Sequence, residues 1–275
     1  MSNSNPNIPI VNLGNLYIQG LGLVYSSTTA VSLSSGQARD ASDVNDIVLG
    51  SAVSVRIGVN GANGLDTGTI AASSLYYIYV IGSSNNLASA AGLLSLSASA
   101  PLLPYNYDMF RRVGCISIDS GSHIRPFMQV GSGNSREMLY DPGTGPSTKG
   151  VVIPSSGTGG STSYVNLGLL ISLVPQLAVD CIIDVAFTPN SANNVLYLAP
   201  ATIDNGTTAW VGSMAAFSGA ATGSAQVGVV RVPCSLPNAA QILALTILSK
   251  VTILYATTSS SDAVVFLLNG YVDQL

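Results

Sequence analysis

The apolar residues of this 275-residue chain fall into short segments, and several of these alternate with polar residues as a β-strand requires. The clearest example is segment 53–59 (VSVRIGV), in which Val53, Val55, Ile57 and Val59 fall on one face. Similar segments follow one another at intervals of roughly 8–12 residues, separated by turn residues. This spacing predicts an all-β chain of the β-sandwich or jelly-roll type.

Strands are predicted where a short segment is rich in β-branched or aromatic residues and is bounded by turn residues. Segment 74–81 (SLYYIYVI) indicates a strand that is buried on both faces or aromatic on one. Segments 86–99 and 241–248 also contain the Ala and Leu of a helix, but Gly92 in the first and the Thr and Ile content of the second weaken that interpretation. The remaining predicted strands are 53–59, 113–118, 124–130, 164–170, 181–187, 195–198, 226–232, 251–255 and 263–271.

Changes in composition divide the chain into four parts. Residues 1–12 are polar and interrupted by proline, which predicts an extended arm. Residues 141–162 are rich in Gly, Pro, Ser and Thr, which predicts a flexible linker. Residues 13–140 and 163–275 carry the strand signals. We therefore predict two β-sandwich or jelly-roll-like domains joined by a Gly/Pro/Ser-rich linker.

Charged residues are scarce, at 8% of the chain against roughly 25% in an average soluble protein. Glutamate occurs only at Glu137, so a residue that usually covers exposed helices is almost missing. The net charge of −4 and the scattered basic residues make nucleic acid an unfavourable partner. Cys115, Cys181 and Cys234 are odd in number and far apart, which indicates buried thiols made in a reducing cytoplasm rather than a disulfide framework.

The mean hydropathy of +0.45 raises the question of a membrane segment. A spanning helix needs about 20 consecutive apolar residues. The best candidate, 242–256, is interrupted by Ser249 and Lys250, and the polar start of the chain does not resemble a secretion signal. We therefore expect no membrane insertion.

The chain offers few residues suited to catalysis. Its one histidine, His123, lies near Cys115 and Asp119, and a Cys-His dyad oriented by a carboxylate is the sharpest catalytic hypothesis. The favoured alternative places Cys115 in an apolar strand and residues 119–123 in a hairpin turn. No Gly-x-Ser-x-Gly motif is present, and 143–149 (GTGPSTK) lacks the Gly-Lys-Ser/Thr ending of a phosphate-binding loop. We expect no catalytic residues and no cofactor.

Three aspartates, Asp40, Asp43 and Asp46, are spaced closely enough to supply oxygen ligands to a calcium ion. The spacing and the glycine of an EF-hand are missing. A solvated turn rich in Asp is therefore the favoured interpretation, and we expect no metal site.

The one tryptophan, Trp210, stands beside Asp204 and Asn205. An aromatic ring next to polar groups suits a sugar ligand, so these residues are a candidate contact for carbohydrate. A single Trp is more often part of a core or an interface, which is the alternative.

One stretch of the chain carries a family pattern, and its most specific part is Tyr107-Asp-x-x-Arg-Arg-x-Gly114 with Arg125-Pro-Phe127 downstream. The segments that carry the pattern are 31–40, 45–49, 64–68, 76–81, 101–114 and 124–127. Over roughly residues 15–135 the chain resembles structural proteins of tailed bacteriophages, the tail-fibre, collar-fibre and related virion proteins. The resemblance implies a non-enzymatic virion protein whose partners are other virion proteins of the portal, collar, tail or capsid.

The pair Arg111 and Arg112 belongs to this pattern and is expected at the start of a strand, with the two side chains on opposite faces. One arginine is expected to pair with Asp40 or Asp108, while the other faces solvent or a neighbouring subunit. The alternative is that both are solvated.

Low charge and apolar strands imply more apolar surface than a two-domain monomer of this length can bury, so we expect a homo-oligomer. The resemblance to phage fibres favours a homotrimer. The arm is expected to dock to other virion proteins through Pro6, Ile8, Pro9 and Ile10. The alternatives are a host-surface carbohydrate-binding module and a head decoration protein, whereas the scarcity of Glu and His disfavours a polysaccharide-degrading enzyme.

Overall fold

The structure is a computed structural model that describes residues 17–140, 151–152, 160, 165–166, 172–200, 215–219, 222–233 and 253–275. These residues form twenty β-strands, and no helix occurs among them. The all-β class predicted from the sequence is therefore confirmed. The predicted strand 241–248 lies outside the described residues.

Most of the strands are short, as the turn residues between the apolar segments require. The first twelve are β1 (Ile18–Gly20), β2 (Leu23–Ser27), β3 (Ala30–Leu33), β4 (Gly36–Arg39), β5 (Asp46–Leu49), β6 (Val53–Arg56), β7 (Gly64–Leu65), β8 (Leu75–Gly82), β9 (Ala91–Ser95), β10 (Met109–Ser117), β11 (Phe127–Ser132) and β12 (Ser135–Tyr140). The other eight are β13 (Val151–Val152), β14 (Val165–Asn166), β15 (Ala178–Thr188), β16 (Val195–Pro200), β17 (Ala215–Ser218), β18 (Gln226–Pro233), β19 (Ile253–Thr257) and β20 (Ala263–Gln274).

The largest sheet has nine strands and joins the two halves of the chain. Its order is β18-β15-β20-β12-β11-β2-β3-β6, and β13 pairs with β20 at the side. β20 lies between β15, which follows the predicted linker in sequence, and β12, which precedes it. A strand from the end of the chain is therefore part of a sheet that begins before residue 141, and the division into two domains stays a prediction.

Three smaller sheets complete the described fold, with the orders β1-β4-β5, β10-β8-β9-β7 and β14-β19-β16-β17. All eight residues of β8 are buried, which confirms the prediction for segment 74–81. Tyr76 and Ile78 of β8 pack into the main core, while Tyr77 and Tyr79 belong to a smaller cluster on the other face.

The main core is continuous from β2 to β20. Tyr255 of β19 and Phe266 of β20 meet there with ring centroids 5.0 Å apart. The sheet β14-β19-β16-β17 therefore packs on the inner face of the nine-stranded sheet. Each fully buried side chain of this size stabilises the fold by about 1.5–3 kcal/mol through removal of apolar surface from water.

Two predicted segments can be compared in detail with the structure. Segment 86–99 contains the strand β9 and no helix, and a Cβ atom at Gly92 would lie 2.3 Å from Cγ2 of Val55, so only glycine fits there. The predicted strand 53–59 is too long, because β6 ends at Arg56 and the chain turns, which leaves Val59 46% exposed.

Candidate functional site

Two groups of residues that the sequence analysis singles out lie outside the described part of the chain. They are the arm residues Pro6, Ile8, Pro9 and Ile10 and the candidate sugar contacts Trp210, Asp204 and Asn205. The docking role of the first group and the sugar-binding role of the second therefore stay predictions.

The catalytic hypothesis for Cys115, Asp119 and His123 does not match the geometry. Cys115 is fully buried in β10, and burial raises the pKa of its thiol, so the reactive thiolate is disfavoured. His123 lies in an exposed turn, where Asp119 accepts hydrogen bonds from the backbone N–H groups of His123 at 2.9 Å and of Gly121 at 2.8 Å. These bonds hold the pKa of the Asp119 carboxyl below its usual value. The favoured alternative, a strand followed by a turn closed by Asp119, describes what is seen.

The three aspartates of the β4–β5 hairpin are held by protein groups. The Asp40 carboxylate accepts hydrogen bonds from the N–H groups of Val44 and Asn45 at 2.9 and 3.2 Å and from the Ser42 hydroxyl at 2.8 Å. Burial opposes ionisation of Asp40, but these hydrogen bonds prevail and lower its pKa. The carboxylates of the other two aspartates each lie within ion-pair distance of the Arg39 guanidinium. The arrangement is a turn rich in Asp, as the favoured interpretation has it, except that Asp40 is buried and not solvated.

Both side chains of the pair Arg111 and Arg112 are buried, so the prediction that one of them faces solvent is wrong, and Arg112 pairs with a different carboxylate from the two expected. Arg112 donates a hydrogen bond from Nη1 to Oδ2 of Asp273 at 2.7 Å, and its Nη2 donates to the carbonyl of Gln274. Asp108 instead accepts hydrogen bonds from the backbone N–H and the hydroxyl of Ser84. The partner of Arg112 lies in β20, 161 residues further along the chain, where local sequence patterns do not reach.

A third buried arginine, Arg136 of β12, is only 2% exposed and was not singled out by the sequence analysis. Its guanidinium donates to the carbonyl oxygens of Leu21 at 2.6 Å and Gly20 at 2.7 Å, and to Oε1 of Gln129 at 3.2 Å. Gly20 and Leu21 both have positive φ angles, so Arg136 fixes a left-handed turn between β1 and β2. Its place in the sequence is the signal that could have drawn attention to it, because Arg136 falls on the same face of the short strand as Met138 and Tyr140.

Arg112, Arg136 and Asp273 form one buried polar cluster. Burial raises the pKa of Asp273, and the neighbouring arginines act against that rise. The guanidinium of Arg112 also lies 6.0 Å from the ring centroid of Tyr77, whose pKa burial raises to about 12. Since the cluster ties β10 and β12 to β20 and to the β1–β2 turn, its effect is to join strands that are far apart in sequence.

The outer face of the nine-stranded sheet carries exposed apolar side chains towards both of its ends, whereas Ile182 near its middle is buried. Met128 of β11 lies opposite Val24 of β2 on one side and opposite Leu139 of β12 on the other, and both Met128 and Val24 are more than half exposed. At the far edge, Val227 and Val229 of β18 are 76% and 64% exposed.

Register places these residues on one face. Leu139 lies opposite Gly270, Gly270 opposite Ile182, and Ile182 opposite Arg231 of β18. Residues directly opposite in a sheet project to the same side, so the row runs from β2 to β18. We call the exposed side of this sheet the outer apolar face; its most exposed members are Val24, Met128, Val130, Val227, Val229 and Val265.

A second surface feature is a cleft of about 710 Å³ beside β5. It lies between β5 and the segment 82–90, and Met109 also lines it. Asp46 and Val48 line it from the β5 side, and Ser83 and Asn86 line it from the opposite side.

No group of three or more His, Cys, Asp or Glu residues is placed to hold a metal ion in the part of the chain that the structure describes. Nor does the described part contain a helix long and apolar enough to cross a membrane. No protein-family model, curated protein or solved structure gives a significant match to this chain.

Proposed function

We propose that this chain is a non-enzymatic structural subunit of a tailed-phage virion, a fibre, collar or tail appendage protein that assembles with copies of itself. The observation that carries the proposal is the outer apolar face of the nine-stranded sheet. Five valines and one methionine on this face are 40–76% exposed, and groups of exposed apolar side chains rimmed by polar residues mark interaction surfaces.

Several polar groups on this face have partners within the chain. Arg231 forms an ion pair with Glu137, and Asp184 accepts a hydrogen bond from Nδ2 of Asn269 at 3.3 Å. These groups would keep their partners when two such faces meet, although each chain carries a net charge of −4. A second copy of the chain is the partner that suits this surface, and symmetric contacts between identical patches are the commonest kind in soluble oligomers.

The resemblance of residues 15–135 to virion proteins of tailed phages supports the particle assignment. An all-β fold with few charged residues suits a subunit that buries much of its surface against neighbours. In this proposal the arm, residues 1–12, links the oligomer to another virion protein, and the particle is the place where the protein acts.

The experiment compares the full chain with a variant that lacks residues 1–12, each carrying the same epitope tag, in cells where phage particles assemble. We expect both proteins to form oligomers with the same number of subunits by native mass spectrometry. Only the full chain should co-purify with particles and be labelled on them by immunogold electron microscopy. Particles that never contain the full chain would refute the assignment, and loss of folding in the shortened chain would refute the arm.

A further inference from the structure

Strand β5 has an open edge that faces the 710 Å³ cleft. Among the described residues β5 pairs only with β4, so its other edge is available to a further strand. We propose that this edge binds an extended Ile-Pro-Ile strand, and that the occupant is the chain's own segment 7–12.

The register of the small sheet shows which backbone groups of β5 point into the cleft. The N–H of Arg39 donates to Tyr17 O, so Arg39 faces β1, and its neighbours Ala38 and Asp40 face β5. The N–H of Asp40 donates to Asn45 O, which fixes the alternation on β5. Ile47 and Leu49 therefore exchange backbone hydrogen bonds with β4, while the backbone groups of Asp46, Val48 and Gly50 point to the open edge.

The surroundings of this edge suit a peptide strand with small apolar side chains. The inward side of β5 packs on the end of β8, where Ile47 contacts Gly82. The apolar residues Ala90 and Met109 also line the cleft. Val48 is 60% exposed on the other side of the strand. An added strand would thus have apolar neighbours on both of its faces and backbone partners on β5.

The sequence of the arm matches these requirements. In a strand, alternate residues turn their N–H and C=O groups to the same side, so Ile8 and Ile10 can both pair with β5. Pro9 has no N–H, and in this arrangement its nitrogen faces away from β5, where no donor is needed. A proline on the outer side also stops a further strand from adding, which protects the edge from aggregation.

The chain enters the described fold at the rim of the cleft. The hydroxyl of Tyr17 donates a hydrogen bond to Oδ1 of Asp46 at 2.9 Å. A strand on the open edge of β5 is three strand spacings from β1, roughly 14 Å. Residues 11–16 span up to about 20 Å when extended, so the arm can reach the edge of its own subunit. A tethered segment has a high effective concentration, which favours it over the same segment of another copy.

The inference does not depend on the proposed virion role. It adds a stage before assembly, in which the arm lies on β5 of the free subunit, and the same arm becomes available to another protein when it leaves that edge.

Hydrogen exchange on the full chain tests whether the edge is occupied. We expect the amide of Val48 to be protected in the unaltered chain. Ile10→Pro removes an N–H that faces β5, so exchange at residues 46–50 should accelerate by at least about tenfold. The matched control is Val11→Pro, which removes an N–H that faces away and should leave exchange within about twofold. A Val48 amide that exchanges freely in the unaltered chain, or equal effects of both prolines, would overturn the proposal.

A crosslink identifies the source of the occupant. Residues paired by hydrogen bonds across a sheet have Cα atoms roughly 5.5 Å apart, within the range of a disulfide. The variant Ile10→Cys/Val48→Cys, with Ile8→Cys/Val48→Cys for the neighbouring register, should oxidise to a species of monomer mass on a denaturing gel. The single variant Ile10→Cys controls for the native thiols. A crosslinked dimer would show that a second copy supplies the strand and would overturn the assignment to the same chain, whereas the native oligomeric mass, which tests the proposed function, is measured separately.

Discussion

At the scale of single residues, the three buried arginines and Asp273 are the least expected feature of a chain with so few charges. Arg112 and Asp273 are 9% and 1% exposed, and they meet across the sheets. The sequence analysis singled out the arginine pair, and it correctly predicted turns at Asp40 and at Asp119. It could not find the partner of Arg112, because nothing in the sequence near either residue marks a contact made by folding distant strands together.

Removal of the Arg112 guanidinium should leave Asp273 as a buried charge without its main partner. We expect Arg112→Met to lower the free energy of unfolding at pH 7.5 by about 3–5 kcal/mol, measured by urea denaturation. The surface control Arg39→Met, which breaks the partly exposed pairs with Asp43 and Asp46 in the β4–β5 hairpin, should cost only about 0–1 kcal/mol.

The same substitution should make stability depend on pH in a defined direction. Burial already raises the pKa of Asp273, and Arg112 is the largest influence that lowers it, so the pKa rises further in the variant. A folded state with a raised carboxyl pKa binds a proton more readily than the unfolded state. The loss of stability should therefore shrink as the pH falls from 7.5 towards 4.5; a loss that grows on acidification would contradict this account.

At the scale of strands, the sequence predicted about half of the elements and none of their partners. Segments 181–187 and 263–271 became the centres of β15 and β20, because β-branched alternation is a local property. Their pairing follows from register over long distances and from glycines that let backbones approach, and neither is visible in a local window.

Gly270 of β20 shows how closely two strands approach. A Cβ atom there would lie 2.1 Å from the carbonyl oxygen of Met138 and 3.0 Å from Cα of Leu139, and backbone atoms cannot move aside cheaply. We expect Gly270→Ala to lower the free energy of unfolding by about 1–3 kcal/mol. The control is Gly58→Ala, because nothing lies within 4 Å of the added methyl group and we expect a change below about 0.5 kcal/mol. Equal midpoints for the two variants in thermal unfolding would contradict the predicted pairing of β12 with β20.

At the scale of the whole molecule, we propose that subunits associate through the outer apolar face. We expect the double variant Val227→Glu/Val229→Glu to weaken self-association by at least about 100-fold, since two charges would have to be buried at the contact. Analytical ultracentrifugation should show monomers at concentrations where the unaltered chain is oligomeric. The control Val44→Glu changes an equally exposed valine in the β4–β5 turn and should leave the oligomer intact. An unaltered chain that sediments as a monomer would refute self-association through this face.

The sequence predicted the all-β class of the molecule, since composition and alternation are summed over the whole chain. It did not predict a sheet that passes from one half to the other, because the turn-rich segment 141–162 marks a change of composition and carries no information about which strands meet across it. The arm and the candidate sugar contacts near Trp210 stay predictions.

The place of β20 has a consequence for how the protein is made. Residues 263–274 leave the ribosome after every strand that they join, and at about 5–20 residues per second the segment that follows β12 delays them by on the order of 10 s. During that interval Arg112 lacks its partner and the flank of β12 is uncovered. Truncated products of translation that stop before residue 263 would keep this flank exposed, so only chains that carry the late strand can close the sheet, and the folding step itself sorts finished subunits from unfinished ones.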